Sequence, residues 1–197
     1  MHPAFRRISV LCAAVLLAGL HGPAPHAAAQ AAGGITATAR VYIPIATRPP
    51  TAQSVEQQVI DLTNQARRDN GCNVALTLSS KLAAAAARHS SDMAVNNIFS
   101  HTGSDGSTMQ MRVEAAGYSY GWLAENIAAG YTTPQAVVAS WMASSGHRKN
   151  ILNCNLREIG VGYYYQAGDQ NNVRDDLGHI GGPYYYYWTQ DFGTPPG

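Results

Sequence analysis

The sequence predicts an α+β domain in which helices pack on an antiparallel sheet. Two observations lead to this class. Apolar residues recur at helical spacing between residues 54 and 143, and β-branched and aromatic residues dominate two later runs, 159–165 and 183–192. Because the helices come first and the strands follow them, the strands are expected to pair antiparallel.

The first 31 residues have the pattern of a secretory signal peptide. Arg6 and Arg7 precede an apolar stretch at 8–20, which is too short to span a bilayer and ends in small residues at 27–29. Cleavage is expected after Ala29 or Ala31. Loss of the two arginines leaves 11 basic residues against 12 acidic ones, so the formal charge changes from +1 to −1. We therefore expect a secreted protein.

Residues 32–53 are rich in Ala, Thr and Pro and are expected to form a flexible spacer. The apolar patch at 41–45 could dock as an edge strand, although Pro44 limits its pairing. The folded domain is predicted to occupy residues 54–197.

Four helices are predicted in this domain from their caps and apolar stripes. Ser54 and Gln57 form a capping box, and Thr133-Pro134 pairs a hydroxyl cap with an N1 proline. The five consecutive alanines at 83–87 suggest that the second helix closely approaches a neighbouring layer. The predicted helices run from Ser54 to Asn70, from Ser80 to Val95, from about Ser107 to Ala116, and from Thr133 to about Ala143.

The two predicted strands, 159–165 and 183–192, carry most of the tyrosines and flank a long hairpin loop at 166–182. Alternate tyrosines fall on opposite faces of a strand. Cross-strand packing in the core is the favoured interpretation of this cluster. The alternative is an outer aromatic surface that binds glycan or lipid.

Cys72 and Cys154 are the two cysteines left after signal cleavage. In an exported protein they can form one intramolecular disulfide, which would close a loop of ~80 residues. Two unpaired, buried thiols are the alternative.

Several functional classes are disfavoured. The near-neutral charge and the lack of a basic aromatic patch argue against nucleic-acid binding, and no glycine-rich phosphate loop is present. No apolar run after the signal peptide is long enough to span a membrane. No G-x-S-x-G element surrounds a serine, so a serine nucleophile has no support.

His101, Glu125 and His147 are the residues whose chemistry stands out. Each lies in a segment typical of exposed turns, and imidazole with carboxylate suits either a divalent metal or general-base catalysis. They lie more than twenty residues apart, so only the fold could bring them together. His89 is predicted to be a hydrogen-bonded core histidine, and His179 a loop residue.

The ordered set of motifs resembles the bacterial branch of the CAP superfamily, also called SCP-like extracellular proteins. This superfamily includes cysteine-rich secretory proteins, antigen five and pathogenesis-related proteins. The resemblance covers residues 55 to 193. The matching motifs are His89-Ser90 with Asp92-Met93, Phe99-Ser100-His101-Thr102, Glu125-Asn126-Ile127-Ala128, the run 141–152, the run 158–162 and the run 187–192.

The resemblance implies an α-β-α sandwich around a cleft whose two histidines and two glutamates hold, in some members, a divalent cation such as zinc. His101, Glu125 and His147 match three of those positions. Ser144 stands where the second glutamate is expected, so one carboxylate is missing. Asn126, Ser144 and Ser145 are expected to line the cleft, and Asn126 and Ser145 could complete a hydrogen-bond network there.

We therefore expect a secreted, monomeric CAP-domain module that binds a divalent cation or a small extracellular ligand, which could be a lipid, a glycan or a peptide. One alternative is an extracellular hydrolase, acting on peptides or cell-wall material, in which a histidine and Glu125 activate water. A second alternative is a lipid- or sterol-binding protein that holds its apolar ligand between helices. We favour binding over catalysis because no persuasive nucleophile is present.

Overall fold

The computed structural model of the protein describes residues 52–197. The predicted signal peptide, nearly all of the predicted spacer and its apolar patch at 41–45 lie outside these residues. Twelve elements follow in chain order: α1 (Val55–Asp69), β1 (Thr77–Leu78), α2 (Ser80–Val95), β2 (Ile98–Phe99), α3 (Met109–Ala115), β3 (Trp122–Ala129), α4 (Pro134–Ala143), α5 (Ser145–Ile151), β4 (Glu158–Tyr165), β5 (Val173–Asp175), β6 (Ile180–Gly181) and β7 (Tyr186–Thr194).

The central sheet has the strand order β1-β4-β7-β3. Its three long strands are antiparallel, because β7 pairs with β4 on one side and with β3 on the other. The predicted α+β class with an antiparallel central sheet is confirmed. The two-residue β1 adds a short parallel pair to β4 at one edge, and β2, β5 and β6 form a second, small sheet.

The four predicted helices are present, and the predicted hydroxyl caps are formed, although the Gln57 side chain of the predicted capping box donates to Asp61 instead of to Ser54. The Ser54 hydroxyl accepts the N–H of Gln57, and the Thr133 hydroxyl accepts the N–H of Ala136. The elements that the sequence did not predict include β3 and α5.

The predicted loop at 166–182 needs correction, because it contains strands β5 and β6. The strand predicted from residue 183 begins only at Tyr186. The physical reason is Asp169, whose Oδ2 accepts the backbone N–H groups of Tyr184 (2.6 Å) and Tyr185 (2.8 Å). The N–H groups of these two residues therefore bond to a side chain instead of to a neighbouring strand.

One face of the sheet packs against α2 with almost no side chain between them. A Cβ atom added at Gly160 would collide with the backbone of Leu82 and Ala83, and one at Gly162 with the backbone of Ala86. The alanine run of α2 therefore meets the glycines of β4, as the five alanines suggested. Side chains alternate along β7, so Thr189 and Asp191 share this face.

The other face of the sheet carries the main apolar core, which α1, α4 and α5 cover. Together the two faces make the three-layer sandwich that the family resemblance implies. The largest core cluster includes Val59, Ile60, Val137, Trp141, Ile151, Ile159, Trp188 and Phe192.

Cys72 and Cys154 form a disulfide across 82 residues of sequence, as predicted. It ties the segment after α1 to the segment after α5. A loop of this length corresponds to about 4 kcal/mol of stabilisation in the chain-entropy description. Between residues 52 and 197, none of the helices has the length and apolarity that a membrane span requires.

Candidate functional site

A cleft of about 230 Å³ lies beside β3, the edge strand of the central sheet. His101 reaches it from the loop after β2, and His147 reaches it from α5. Seven side chains line it: Phe99, His101, Ile127, His147, Asp175, Asp176 and Leu177. The fold thus brings together two histidines that are 46 residues apart in sequence.

Glu125 lies behind His101 and is buried in strand β3, whereas its sequence surroundings suggested an exposed turn. Its Oε1 is 2.8 Å from His101 Nδ1, and its Oε2 is 2.7 Å from a terminal nitrogen of Arg112. A carboxylate only accepts hydrogen bonds, so Nδ1 of His101 carries the proton of this contact. The Nε2 atom of His101 is therefore the ring nitrogen left for other partners.

Arg112 is the main member of the site that sequence reasoning missed. It is almost fully buried on α3, and it donates to Glu125 and to the backbone carbonyls of His101 (3.2 Å) and Ser107 (2.9 Å). The available signal was an arginine beside Val113 on the apolar stripe of a short helix, in a chain with few charges. Arg112 holds both the carboxylate and the backbone that carries His101.

The surroundings of the two cleft histidines shift their pKa values in opposite directions. The hydrogen bond to Glu125 raises the pKa of His101, and the negative charges of Glu125 and Asp176 act in the same direction. Burial lowers the pKa of His147, and the nearby charge of His101 lowers it further. Compared with a free imidazole, the charged form is therefore stabilised at His101 and destabilised at His147.

Glu125 and one further carboxyl group, that of Asp191, have pKa values shifted in opposite directions. Burial acts to raise the pKa of Glu125, but the hydrogen bond from His101 and the charge of Arg112 outweigh it and lower the pKa. Asp191 on β7 is fully buried, and its position pairs with Glu125 across the sheet. Burial and the charge of Glu125 raise the pKa of Asp191 well above its ordinary value. The site therefore favours the protonated form of Asp191 next to the ionised form of Glu125.

His89 is a buried core histidine with a hydrogen bond, as predicted. Its Nε2 lies 2.9 Å from the backbone carbonyl of Ser100, so this nitrogen donates. Burial lowers the pKa of His89. The residue ties α2 to the segment that presents His101.

Asn126 lies on the face of β3 opposite to Glu125 and is fully buried, so it does not reach the cleft surface. Its Nδ2 donates to the backbone carbonyl of His147 (3.2 Å) and to Oε1 of Gln190 (3.1 Å). Its Oδ1 accepts from Nδ2 of Asn150 (2.9 Å). Asn126 thus contacts the helix that carries His147.

The same network connects that helix to α1. Gln190 Nε2 donates to Oγ1 of Thr63 (2.7 Å), and Arg67 donates to the carbonyls of Ile151 (2.7 Å) and Asn153 (3.0 Å) at the end of α5. The position of His147 therefore depends on α1 as well as on β3.

Ser144 and Ser145 are near His147 in sequence but are not among the residues that line the described cleft. Ser144 ends α4 and caps α5 without a side-chain cap bond, and its N–H donates to the carbonyls of Ser140 and Trp141. Ser145 is the first residue of α5.

His179, predicted as a loop residue, belongs to the turn between β5 and β6. Its Nδ1 is 2.9 Å from Oδ2 of Asp175, and Oδ1 of Asp175 accepts the N–H groups of Leu177 and His179. This turn supplies one wall of the cleft.

In the described geometry Glu125 is not free to complete a cation site with the two imidazoles. Both oxygens of Glu125 are engaged, one by His101 and one by Arg112. Within residues 52–197 there is no group of three or more His, Cys, Asp or Glu side chains arranged to hold a metal ion. Ser144 supplies no carboxylate at the second family position.

Comparison with known proteins gives one family match. The family model described as CAP, the cysteine-rich secretory protein family, matches residues 60–192.

Two proteins of Bacillus subtilis (strain 168) are similar in sequence. Uncharacterized protein YkwD is 42% identical over 116 residues, which are 58% of this chain and 44% of that protein. Uncharacterized membrane protein YlbC is 37% identical over 119 residues, which are 60% of this chain and 34% of that protein. The chain thus matches less than half the length of either relative.

Two solved structures are similar in fold. An extracellular protein containing a SCP domain from Bacillus anthracis has a TM-score of 0.56 and 32% identity, over 70% of this chain and 39% of that one. An outer surface protein from Borrelia burgdorferi also has a TM-score of 0.56, with 18% identity over 73% of this chain and 97% of that one. At that identity the second likeness concerns the fold alone.

Proposed function

The chain belongs to the CAP family, and on that premise we propose that it is an extracellular module that binds a small ligand in the cleft beside β3. The observation that carries this proposal is the convergence of His101 and His147 with Phe99, Ile127 and Leu177 around one cavity. Polar groups that converge in a partly apolar cavity are typical of ligand sites.

Three features support an extracellular role. Residues 1–31 have the pattern of a signal peptide, and the disulfide between Cys72 and Cys154 suits an oxidising compartment. The similar protein from Bacillus anthracis is itself described as extracellular.

The chemistry of the lining defines the kind of ligand. With Nδ1 of His101 donating to Glu125, Nε2 is an acceptor in the neutral ring and a donor in the charged ring, which Glu125 stabilises. Neutral His147 can donate or accept. A ligand with a hydrogen-bonding group and an apolar portion fits this set.

An NMR titration tests the proposal. The ring C–H signals of His101 and His147 would be followed while short peptides, disaccharides and fatty acids are added to the mature protein. We expect one class to shift both signals, and we expect His101→Ala and His147→Ala to weaken its binding. Lys149→Ala is the control, because it changes an exposed residue of the same helix. Unchanged affinity in both histidine variants would contradict the proposal.

A divalent cation is the alternative occupant of the cleft. The two imidazoles would have to hold it unless Glu125 released Arg112 or His101. Calorimetry with zinc on the wild type and on the double variant His101→Ala/His147→Ala distinguishes the cases. Heat that disappears in the double variant would establish a cation site, and identical heats would exclude one built on these histidines.

One observation favours hydrolysis as a second candidate function. The pKa values of His101 and His147 shift in opposite directions, which is the relation expected of an acid and a base that act together. In this mechanism neutral His147 activates water and charged His101 donates a proton. Peptide or cell-wall turnover that is lost in His147→Ala and in Glu125→Gln would support this function. No turnover in the wild type would leave only the binding function.

A further inference from the structure

The turn between β5 and β6 forms an acidic and apolar wall of the cleft. It supplies Asp175, Asp176 and Leu177, three of the seven lining residues. These three side chains have different surroundings, and the differences indicate what the wall can bind.

Asp175 is committed to the structure of the turn. Its two oxygens accept hydrogen bonds from the backbone N–H groups of Leu177 (2.9 Å) and His179 (2.8 Å), and from the His179 ring (2.9 Å). It therefore shapes the wall and has little capacity left for a ligand.

Asp176 is exposed and forms no ion pair with any residue in the range 52–197. It lines the cleft and lies close enough to His101 to act on it through its charge. Of the two carboxylates in the wall, Asp176 is the one that can meet a ligand.

Leu177 follows directly and is 82% exposed, although it lines the cleft together with Phe99 and Ile127. An aliphatic segment of a ligand would cover this side chain and remove apolar surface from water. The wall thus offers a negative charge next to an apolar surface.

The charges that face the cleft favour a cation on this side. Glu125 is paired with Arg112, burial disfavours the charged form of His147, and Glu125 and Asp176 stabilise the charged form of His101. On the wall, Asp175 is engaged by the His179 ring, and Asp176 is the carboxylate without an ion-pair partner among residues 52–197. A ligand carboxylate placed at the turn would be repelled by Asp176.

We propose that the cleft selects a peptide with a primary ammonium on an aliphatic chain, with Asp176 recognising the ammonium and Leu177 the chain. This inference rests on the proposed binding function and names its ligand class. A lysine side chain and a peptide N-terminus both supply this chemistry. In either case a peptide carbonyl can accept a hydrogen bond from Nε2 of His101.

Four peptides test the proposal by NMR titration: acetyl-Ala-Lys-Ala-amide, its norleucine and glutamate analogues, and norleucyl-Ala-amide with a free N-terminus. We expect the lysine peptide to bind about two- to fivefold more tightly than the acetylated norleucine peptide, since an exposed ion pair contributes this much. The glutamate peptide should bind most weakly. The free-amine peptide shows whether an N-terminal ammonium serves as well as a lysine.

Asp176→Asn should make the lysine and norleucine peptides equal, and Leu177→Ser should weaken both to the same extent. Asp69→Asn is the matched control, because it removes the same charge from an exposed site at the end of α1. Equal binding of the lysine and norleucine peptides to the wild type would overturn the charge selection and leave the binding function intact. If no peptide shifts either histidine, the ligand class is wrong, and the disaccharide and fatty-acid titrations decide the binding function.

Discussion

Glu125 and Asp191 lie directly opposite each other on β3 and β7, and both carboxyl groups are buried. Two ionised carboxylates that are buried at directly opposite positions would repel each other strongly. The fold resolves the conflict by placing Arg112 on Glu125 and leaving Asp191 without a hydrogen-bond partner of normal geometry in residues 52–197. The pair therefore holds one charge, on Glu125, which faces His101.

This arrangement predicts a pH dependence of stability. The raised pKa of Asp191 means that the folded protein binds a proton which the unfolded chain releases above its ordinary pKa of ~4. The contribution of Asp191 to stability is therefore present below that pH and is lost as the pH rises toward the folded-state value. Asp191→Asn, which stays neutral, should stabilise the protein by about 1 kcal/mol or more at pH 8. Urea unfolding at pH 5 and pH 8 measures this, and a variant less stable than wild type at pH 8 would contradict it.

Replacing Arg112 should destabilise the fold strongly. Arg112→Met leaves Glu125 buried without its cation, which costs about 3–5 kcal/mol. Arg112→Lys should rescue little, because one ammonium cannot reproduce contacts made by two guanidinium nitrogens. The matched control is Arg88→Met, which breaks the half-exposed pair with Asp105 and should cost far less, because solvent screens this pair. Similar losses in thermal unfolding for both variants would refute the special role of Arg112.

Asn126→Ala should move His147 and leave His101 in place. The substitution removes the bonds to the carbonyl of His147 and to Gln190, and should lower stability by about 1–3 kcal/mol. The ring signals of the two histidines separate a local effect from a general one. Ser90→Ala removes a buried hydrogen bond to Thr189 on the other face of the sheet and serves as control. If both histidine signals move equally in Asn126→Ala, the positioning role is wrong.

Reduction of the disulfide should loosen the same helix from its far end. Cys154 is exposed and follows α5, so a reductant can reach the bond, and its loss should lower stability by about 4 kcal/mol. The melting temperature should fall by roughly 10 °C for a domain of this size. The double variant Cys72→Ser/Cys154→Ser should show the same fall without a reductant. An unchanged melting temperature would show that Arg67 and the core suffice to hold α5.

The helices were predictable because their signals are local. Ser54 and Thr133 mark their starts, and apolar stripes mark their buried faces. Helix α5 lacks such signals, since only Ile151 among its residues is buried and its N-cap makes no side-chain bond. Its stability comes from Arg67, Asn126 and the disulfide, which are contacts that only the folded chain brings to it.

Strand β3 and the burial of Glu125 could not be predicted either, because they too depend on contacts that only the folded chain forms. The strand is half-buried or buried over most of its length, so it lacks the alternation of apolar and polar residues that identifies a half-exposed strand. A glutamate in such a segment resembles a surface residue until its partners are known. Arg112 lies 13 residues away on α3, and Asp191 lies on β7. The family resemblance placed Glu125 beside the histidines, but no local pattern indicated its buried environment.

The contact between α2 and the glycines of β4 limits where this domain can change. At Gly160 and Gly162 the helix backbone lies directly on the sheet backbone. Any residue larger than glycine would push the two layers apart. His89 and the segment leading to His101 depend on that spacing. Substitutions that change the ligand are therefore expected at the exposed positions Asp176 and Leu177, where side chains can vary without shifting a layer.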